Sequence, residues 1–176
     1  AGTTFKSRLA ATLPPGRSLG ASTAAGPSRS PPPPADHGKP PYPGNPEDFV
    51  QGKVGLDLQF MRGPLAIFAE ANASAWQTPL IAEDLEVASA FVEVRYDVAT
   101  QWYLAGRVDG MGFSEIDAGP TNGGVAPWDQ DVFRSEVAVG YRLSREILLK
   151  ADWQRTTTGE SGWTQNLFAA QLSAVF

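Results

Sequence analysis

From Phe49 to the C-terminal end, apolar residues recur at every second position, and the charged residues fall into the other set. A period of two is the pitch of a β-strand with one greasy and one wet face, and no helix satisfies it. Val54, Leu56, Leu58 and Phe60 alternate with Lys53, Asp57 and Gln59. Leu65 to Ala75, Ala88 to Tyr96, Trp102 to Gly110, Phe133 to Tyr141, Ile147 to Trp153 and Phe168 to Phe176 repeat the pattern. These predict seven strands. An eighth is predicted before them, where Phe5, Leu9, Ala11 and Leu13 alternate with Lys6, Arg8 and Thr12.

The segments between strands differ in kind. Met61–Pro64, Asp97–Thr100 and Leu143–Glu146 read as tight turns, while 77–85, 114–130 and 156–163 read as longer connections. Short turns at one end and long loops at the other make an up-and-down meander. Eleven of the 15 prolines lie between Pro14 and Pro46, so 14–48 reads as a Pro-rich outer loop or linker. The expected organisation is a first barrel strand over 1–13, that loop, and a seven-strand meander over 49–176.

Two opposite objects share this alternation. A soluble ligand-carrying barrel is apolar inside, and an outer-membrane barrel is apolar outside. No apolar run reaches the roughly 20 residues of a membrane-spanning helix, which excludes a helical membrane protein and leaves a membrane barrel open. The charges lie on one face: Lys53, Asp57, Glu70, Glu93, Arg95, Arg107, Asp109, Arg134, Glu136, Lys150 and Asp152, with Lys6 and Arg8 in the first strand. On the other face Phe60, Tyr96, Trp102, Tyr141 and Phe176 stand beside the short turns or the C-terminal end. Phe133, Trp153 and Phe168 stand six to eight residues away. Eight tilted strand residues rise about 20 Å, close to the apolar height of an outer membrane with rings at both water interfaces. The reading is therefore an all-β, antiparallel up-and-down transmembrane β-barrel. It has about eight strands, or is the C-terminal eight strands of a larger barrel.

The last strand, TQNLFAAQLSAVF, resembles the C-terminal assembly signal of Gram-negative outer-membrane β-barrels, with Phe168, Leu172 and Phe176 as its apolar positions. FVEVRYDVATQWYLAGRVD and VFRSEVAVGYRLSREILLKADW are similar to hairpins of porin-like proteins. The resemblance implies the bacterial outer membrane as location, lipid and the barrel-assembly machinery as partners, and short turns and the C-terminus on the periplasmic side; the barrel reading places the N-terminus there too.

Function then turns on the charged face. It lines either a water-filled pore or the packed interior of a closed barrel that anchors surface loops or a partner protein. A porin-like channel for passive diffusion of small polar solutes or ions is the leading expectation. A three-residue loop centred on Leu143 would set Arg134 opposite Asp152 and Glu136 opposite Lys150. The PPPP run and the following PPYPGNP are a candidate contact for a protein partner.

A net charge of −5 argues against nucleic acid. With no cysteine and His37 as the single histidine, thiol chemistry and a His-dependent triad are not expected, nor is any cofactor. Glu115, Asp117, Asp129 and Asp131 flank a Gly-rich loop but match no calcium-loop spacing. On these grounds the chain is expected not to be an enzyme. The solute and the oligomeric state are not read from the sequence.

Overall fold

The computed structural model describes residues 4–27, 49–78, 81–117, 124–159 and 162–175. Every regular element in them is a strand. In chain order they are β1 (Phe5–Leu13), β2 (Arg17–Pro27), β3 (Val50–Arg62), β4 (Leu65–Thr78), β5 (Ile81–Asp97), β6 (Trp102–Phe113), β7 (Glu115–Asp117), β8 (Val125–Pro127), β9 (Val132–Arg142), β10 (Ile147–Thr158) and β11 (Thr164–Ala174). Nine form one antiparallel sheet in the order β1-β2-β3-β4-β5-β6-β9-β10-β11, and β7 and β8 make a small separate hairpin.

The eight expected strands are all present in the main sheet, and β2 is a ninth. It occupies residues assigned above to a Pro-rich loop. Pro14, Pro15 and Gly16 form a tight turn that pairs Leu13 with Arg17, and Met61 N donates to Gly16 O. The apolar contrast in β2 is weak because both faces carry small residues. Leu19, Ala21 and Thr23 lie on one side, and Ser18, Gly20 and Ser22 on the other. Residues 28–48, with His37 and the PPPP run, lie outside the described residues.

The ninth strand also overturns the placing of both ends on one side of the membrane. β1 runs toward the short-turn end, as β11 does, so Phe5 stands at the loop end while Ala174 pairs with Ile147 at the short-turn end.

The connections 77–85 and 156–163 are shorter than expected because strands run on into them, while 114–130 keeps its length and carries the β7–β8 hairpin. β5 has 17 residues, about 56 Å of extended chain. Beyond the apolar band both faces of a strand meet water, so alternation fades before the strand ends. A bulge between Trp76 and Thr78 further breaks the period. The β9–β10 turn is longer than the loop centred on Leu143. Ser144 Oγ accepts from Glu146 N and Ile147 N, and Leu143 N donates to Ile147 O. The register is shifted accordingly: Arg134 pairs with Thr156 and Glu136 with Gln154.

The two faces are unequally covered. On the charged side Asp109 and Asp152 are only 16% and 15% exposed. On the apolar side Leu104, Val137 and Leu172 are 51%, 54% and 67% exposed. The sheet shelters its ions and presents its hydrocarbon, the reverse of a protein in water and the arrangement required in lipid. Outward-pointing Glu86 stands ten residues from outward-pointing Tyr96 on β5. At about 45° tilt that span rises about 23 Å, matching an apolar band about 25 Å tall.

Candidate functional site

The inner face of the sheet is the candidate site, and the pleat positions it: each inward side chain is two residues from the next along its strand. Across β5, β6 and β9 one register row reads Glu93, Arg107, Glu136, alternating in sign. A second row sets Asp109 opposite Arg134, whose Nε donates to both carboxylate oxygens at 3.0 Å. Arg107 lies 3.2 Å from Asp109 and 3.8 Å from Glu93, with its guanidinium 4.0 Å from the centroid of the Phe91 ring. Lys150 reaches Glu136 at 3.0 Å and Asp152 at 3.4 Å. The Glu136–Lys150 contact expected from the sequence thus forms, diagonally across the shifted register. Arg134 and Asp152 each take another partner.

The first strands carry a different surface. Asp57 pairs in register with Glu70, a like-charged neighbour, and Arg8 relieves the pair by reaching over β2 to both Asp57 oxygens at 3.1 and 3.2 Å. Gly20 lies beneath this bridge, where a side chain would collide with the Asp57 carboxylate. Glu70 accepts from Asn72 at 2.7 Å. Around them the inner face consists of Ser22, Ala24, Gly55, Ser74 and Ser89, with Lys53 opposite Ser74.

Two inward clusters are new. At the short-turn end Tyr103 is buried against Gly140, with Arg95 4.3 Å and Arg142 5.6 Å from its ring centroid. Asp97 joins both arginines, at 3.2 and 3.0 Å. A Cβ on Gly140 would fall inside the Tyr103 ring, whereas Gly52, on the lipid face, has open space around it. Gly140→Val is therefore expected to lower the urea stability of the folded protein in vesicles by about 1–3 kcal/mol through overpacking. Gly52→Val should leave it within about 0.5 kcal/mol. Equal losses at the two sites would refute this packing.

At the loop end Trp128 folds inward onto Trp76 and Phe113, with ring centroids at 5.2 and 4.8 Å and both contacts edge-to-face. Its Nε1 donates to Glu86 O at 2.9 Å, and Trp128 N donates to Ser114 O. The β7–β8 hairpin is thereby fastened to the inner wall. Trp76 and Phe113 stand at polar positions of the two-residue period, which is the signal that marks them. Asp131 accepts from Phe113 N, and Asp129 accepts from Gln130 N. Among the described residues no group of three possible metal ligands comes together.

On the lipid face Trp102 and Tyr141 pack at 4.6 Å beside the short turns, and Phe60 and Tyr96 end their strands nearby. Trp153 pairs with Phe168, ring centroids 6.4 Å apart, and also with Val137, whereas Phe133 pairs with Thr157. The loop-side aromatics thus occupy two register lines, since paired residues follow the sheet and not the membrane plane. Phe168 and Leu172 point outward from an edge strand, and Phe176 lies outside the described residues.

No family model matches the sequence, and no curated protein matches it. Solved structures do. The chain is similar to OmpT, an outer membrane protein of Vibrio cholerae in its in-vitro folded form, with a TM-score of 0.66 at 10% identity, covering 99% of this chain and 52% of that one. A loop L8 deletion mutant of OmpT gives a TM-score of 0.70 at 10% identity, covering 98% and 53%. The fold is that of an outer-membrane β-barrel. The chain spans about half the length of these neighbours, and the outer-membrane location expected from the sequence accords with them.

The comparison corrects one expectation. The exclusion of an enzyme rested on residue types read along the chain, and it does not stand beside a likeness to OmpT. The physical reason is that catalytic groups on a barrel rim are gathered from separate loops in space. The scarcity of histidine and cysteine along these 176 residues therefore does not decide the matter, and the exclusion is withdrawn.

Proposed function

We propose that this sheet is part of the wall of a porin-like outer-membrane channel through which small polar solutes or ions diffuse passively. One observation carries the reading: the inward charges bond to neighbours along the wall, strand to strand. Arg134–Asp109, Lys150–Glu136 and Arg8–Asp57 all lie flat in this sense. Between the charged rows of β2 to β5 the inner face carries a patch of small residues, Ser22, Ala24, Gly55, Ser74 and Ser89, too small to fill a lumen. A closed anchoring barrel needs the opposite, long side chains that meet across the axis.

The paired lining holds both signs, so it discriminates weakly by charge. The aromatic residues of the lipid face serve as interfacial anchors. Phe168, Leu172 and Phe176 serve as the handle for the barrel-assembly machinery.

The test is single-channel recording of the barrel extracted from outer membranes in planar bilayers. Stepwise, ohmic conductance that depends little on the sign of the ion is expected. A folded, heat-modifiable barrel that gives no current above background would sink the channel and leave the structural barrel.

A further inference from the structure

Most inward cations are neutralised within the wall. Arg8, Arg95, Arg107, Arg134, Arg142 and Lys150 each have a carboxylate oxygen at 3.0 to 3.2 Å. Lys6 and Lys53 are the exceptions: both are exposed, and among the described residues neither has an ion-pair partner. The register shows why. Lys6 pairs with Ala24 and Ala24 with Lys53, so the two lysines flank a methyl group in one inward row, about 10 Å apart across two strand spacings. The next row toward the loops reads Gly26, Gln51 and Trp76, and the next toward the short turns reads Arg8, Ser22, Gly55 and Asn72. Neither row carries a carboxylate. Asp57 stands four residues from Lys53, about 13 Å along β3 and beyond the reach of a lysine, and Arg8 already occupies both its oxygens.

The small side chains leave a hollow between the lysines. It measures about 380 Å³, and Lys6, Arg8, Ser22, Ala24 and Lys53 line it. Ser74 stands beside Lys53 in register and adds a second hydroxyl. We propose that this hollow is a subsite for a small doubly charged oxyanion, of the hydrogen phosphate or dicarboxylate class, held between Lys6 and Lys53. Two like charges in one row repel each other, and a dianion bridging them replaces that repulsion with charge-assisted hydrogen bonds. A monovalent anion neutralises one ammonium and leaves the other. Each ammonium is a compact charge with three donors on a flexible stem, so the pair accepts oxyanions of more than one shape.

This inference rests on the reading of the charged face as the wall of a water-filled passage. It gives a weakly selective wall one place where an anion pauses. The test separates the two by measuring binding apart from current. The folded barrel, extracted from outer membranes into neutral detergent, is dialysed to equilibrium against radiolabelled inorganic phosphate at low salt, where screening is weak. Saturable binding is expected, weakened about tenfold by Lys6→Gln and by Lys53→Gln. Arg17→Gln removes the same charge from the lipid-facing side and should leave binding unchanged. Ala24→Asp keeps both lysines but places a carboxylate between them, and it should abolish binding in a barrel that remains heat-modifiable on gels.

Absence of saturable binding to the folded protein would overturn the proposal, as would an equal loss in Arg17→Gln or undiminished binding in Ala24→Asp. In planar bilayers, added phosphate should depress the chloride current of the unsubstituted protein and not that of Ala24→Asp. Phosphate binding without any current would sink the channel and uphold the subsite, whereas current without phosphate binding would sink the subsite and uphold the channel.

Discussion

Arginine placed at Val92 is expected to destabilise the folded protein by about 2–4 kcal/mol in phospholipid vesicles. Val92 points outward between Ala69 on β4 and Val108 on β6, midway between Tyr96 and Ala88. A guanidinium there has nothing to pair with, and water lies about half a bilayer away in either direction. The same substitution at Ala88, next to the outward charge of Glu86, or at Tyr96, beside the short turn, should cost about 0–1 kcal/mol. The profile along one face of β5 is thus expected to peak in the middle. The core of a soluble barrel gives no such dependence on height, since its interior has no nearby water at either end of the series. Ser89→Arg, on the inner face, should stay within about 1 kcal/mol. Urea titration of tryptophan fluorescence measures all four, and a flat profile from Ala88 to Tyr96 would contradict the membrane-facing assignment.

The second large effect is expected at Arg107. Its side chain lies within 3.8 Å of Glu93 and 3.2 Å of Asp109, faces Glu136 in register and stacks on Phe91. Arg107→Ala leaves three carboxylates about one half-buried position. Mutual repulsion and lost hydrogen bonds should lower stability by about 1–3 kcal/mol. The bared negative charge should also raise cation over anion permeability about three- to tenfold, which corresponds to about 0.7–1.4 kcal/mol. Adding Glu93→Gln to Arg107→Ala should recover part of both. Arg17→Ala offers the control, since Arg17 is an outward residue beside Phe60 at the short-turn end and should not move selectivity. Reversal potentials in a salt gradient give the readout, and unchanged selectivity in Arg107→Ala would show that ions do not pass this wall.

How far these residues were legible in the sequence depended on contrast between the two faces. Where large apolar residues alternate with charges, as from Val92 to Tyr96 or from Phe133 to Tyr141, both the strand and its faces could be read directly. β2 escaped because Leu19, Ala21 and Thr23 oppose Ser18, Gly20 and Ser22, a pattern too flat to register as alternation. That single miss reversed the direction of β1. All eleven expected wall residues share one face of the sheet by register, yet their partners were not readable. Register is set by turn geometry, and the Ser144 hydroxyl lengthens the β9–β10 turn. Tyr103, Trp76 and Phe113 were hidden for another reason: aromatic residues at polar positions look like exceptions until a glycine such as Gly140, or a hairpin such as that bearing Trp128, is brought against them.

The exposed apolar row of β1 also bears on how the folded protein must be handled. Its outward residues Phe5, Leu9 and Leu13 are 73%, 79% and 52% exposed. In water such a row gathers other hydrocarbon, so detergent micelles or bilayer have to cover it at every step after folding, and diluting the detergent away should precipitate the protein without first unpairing a strand.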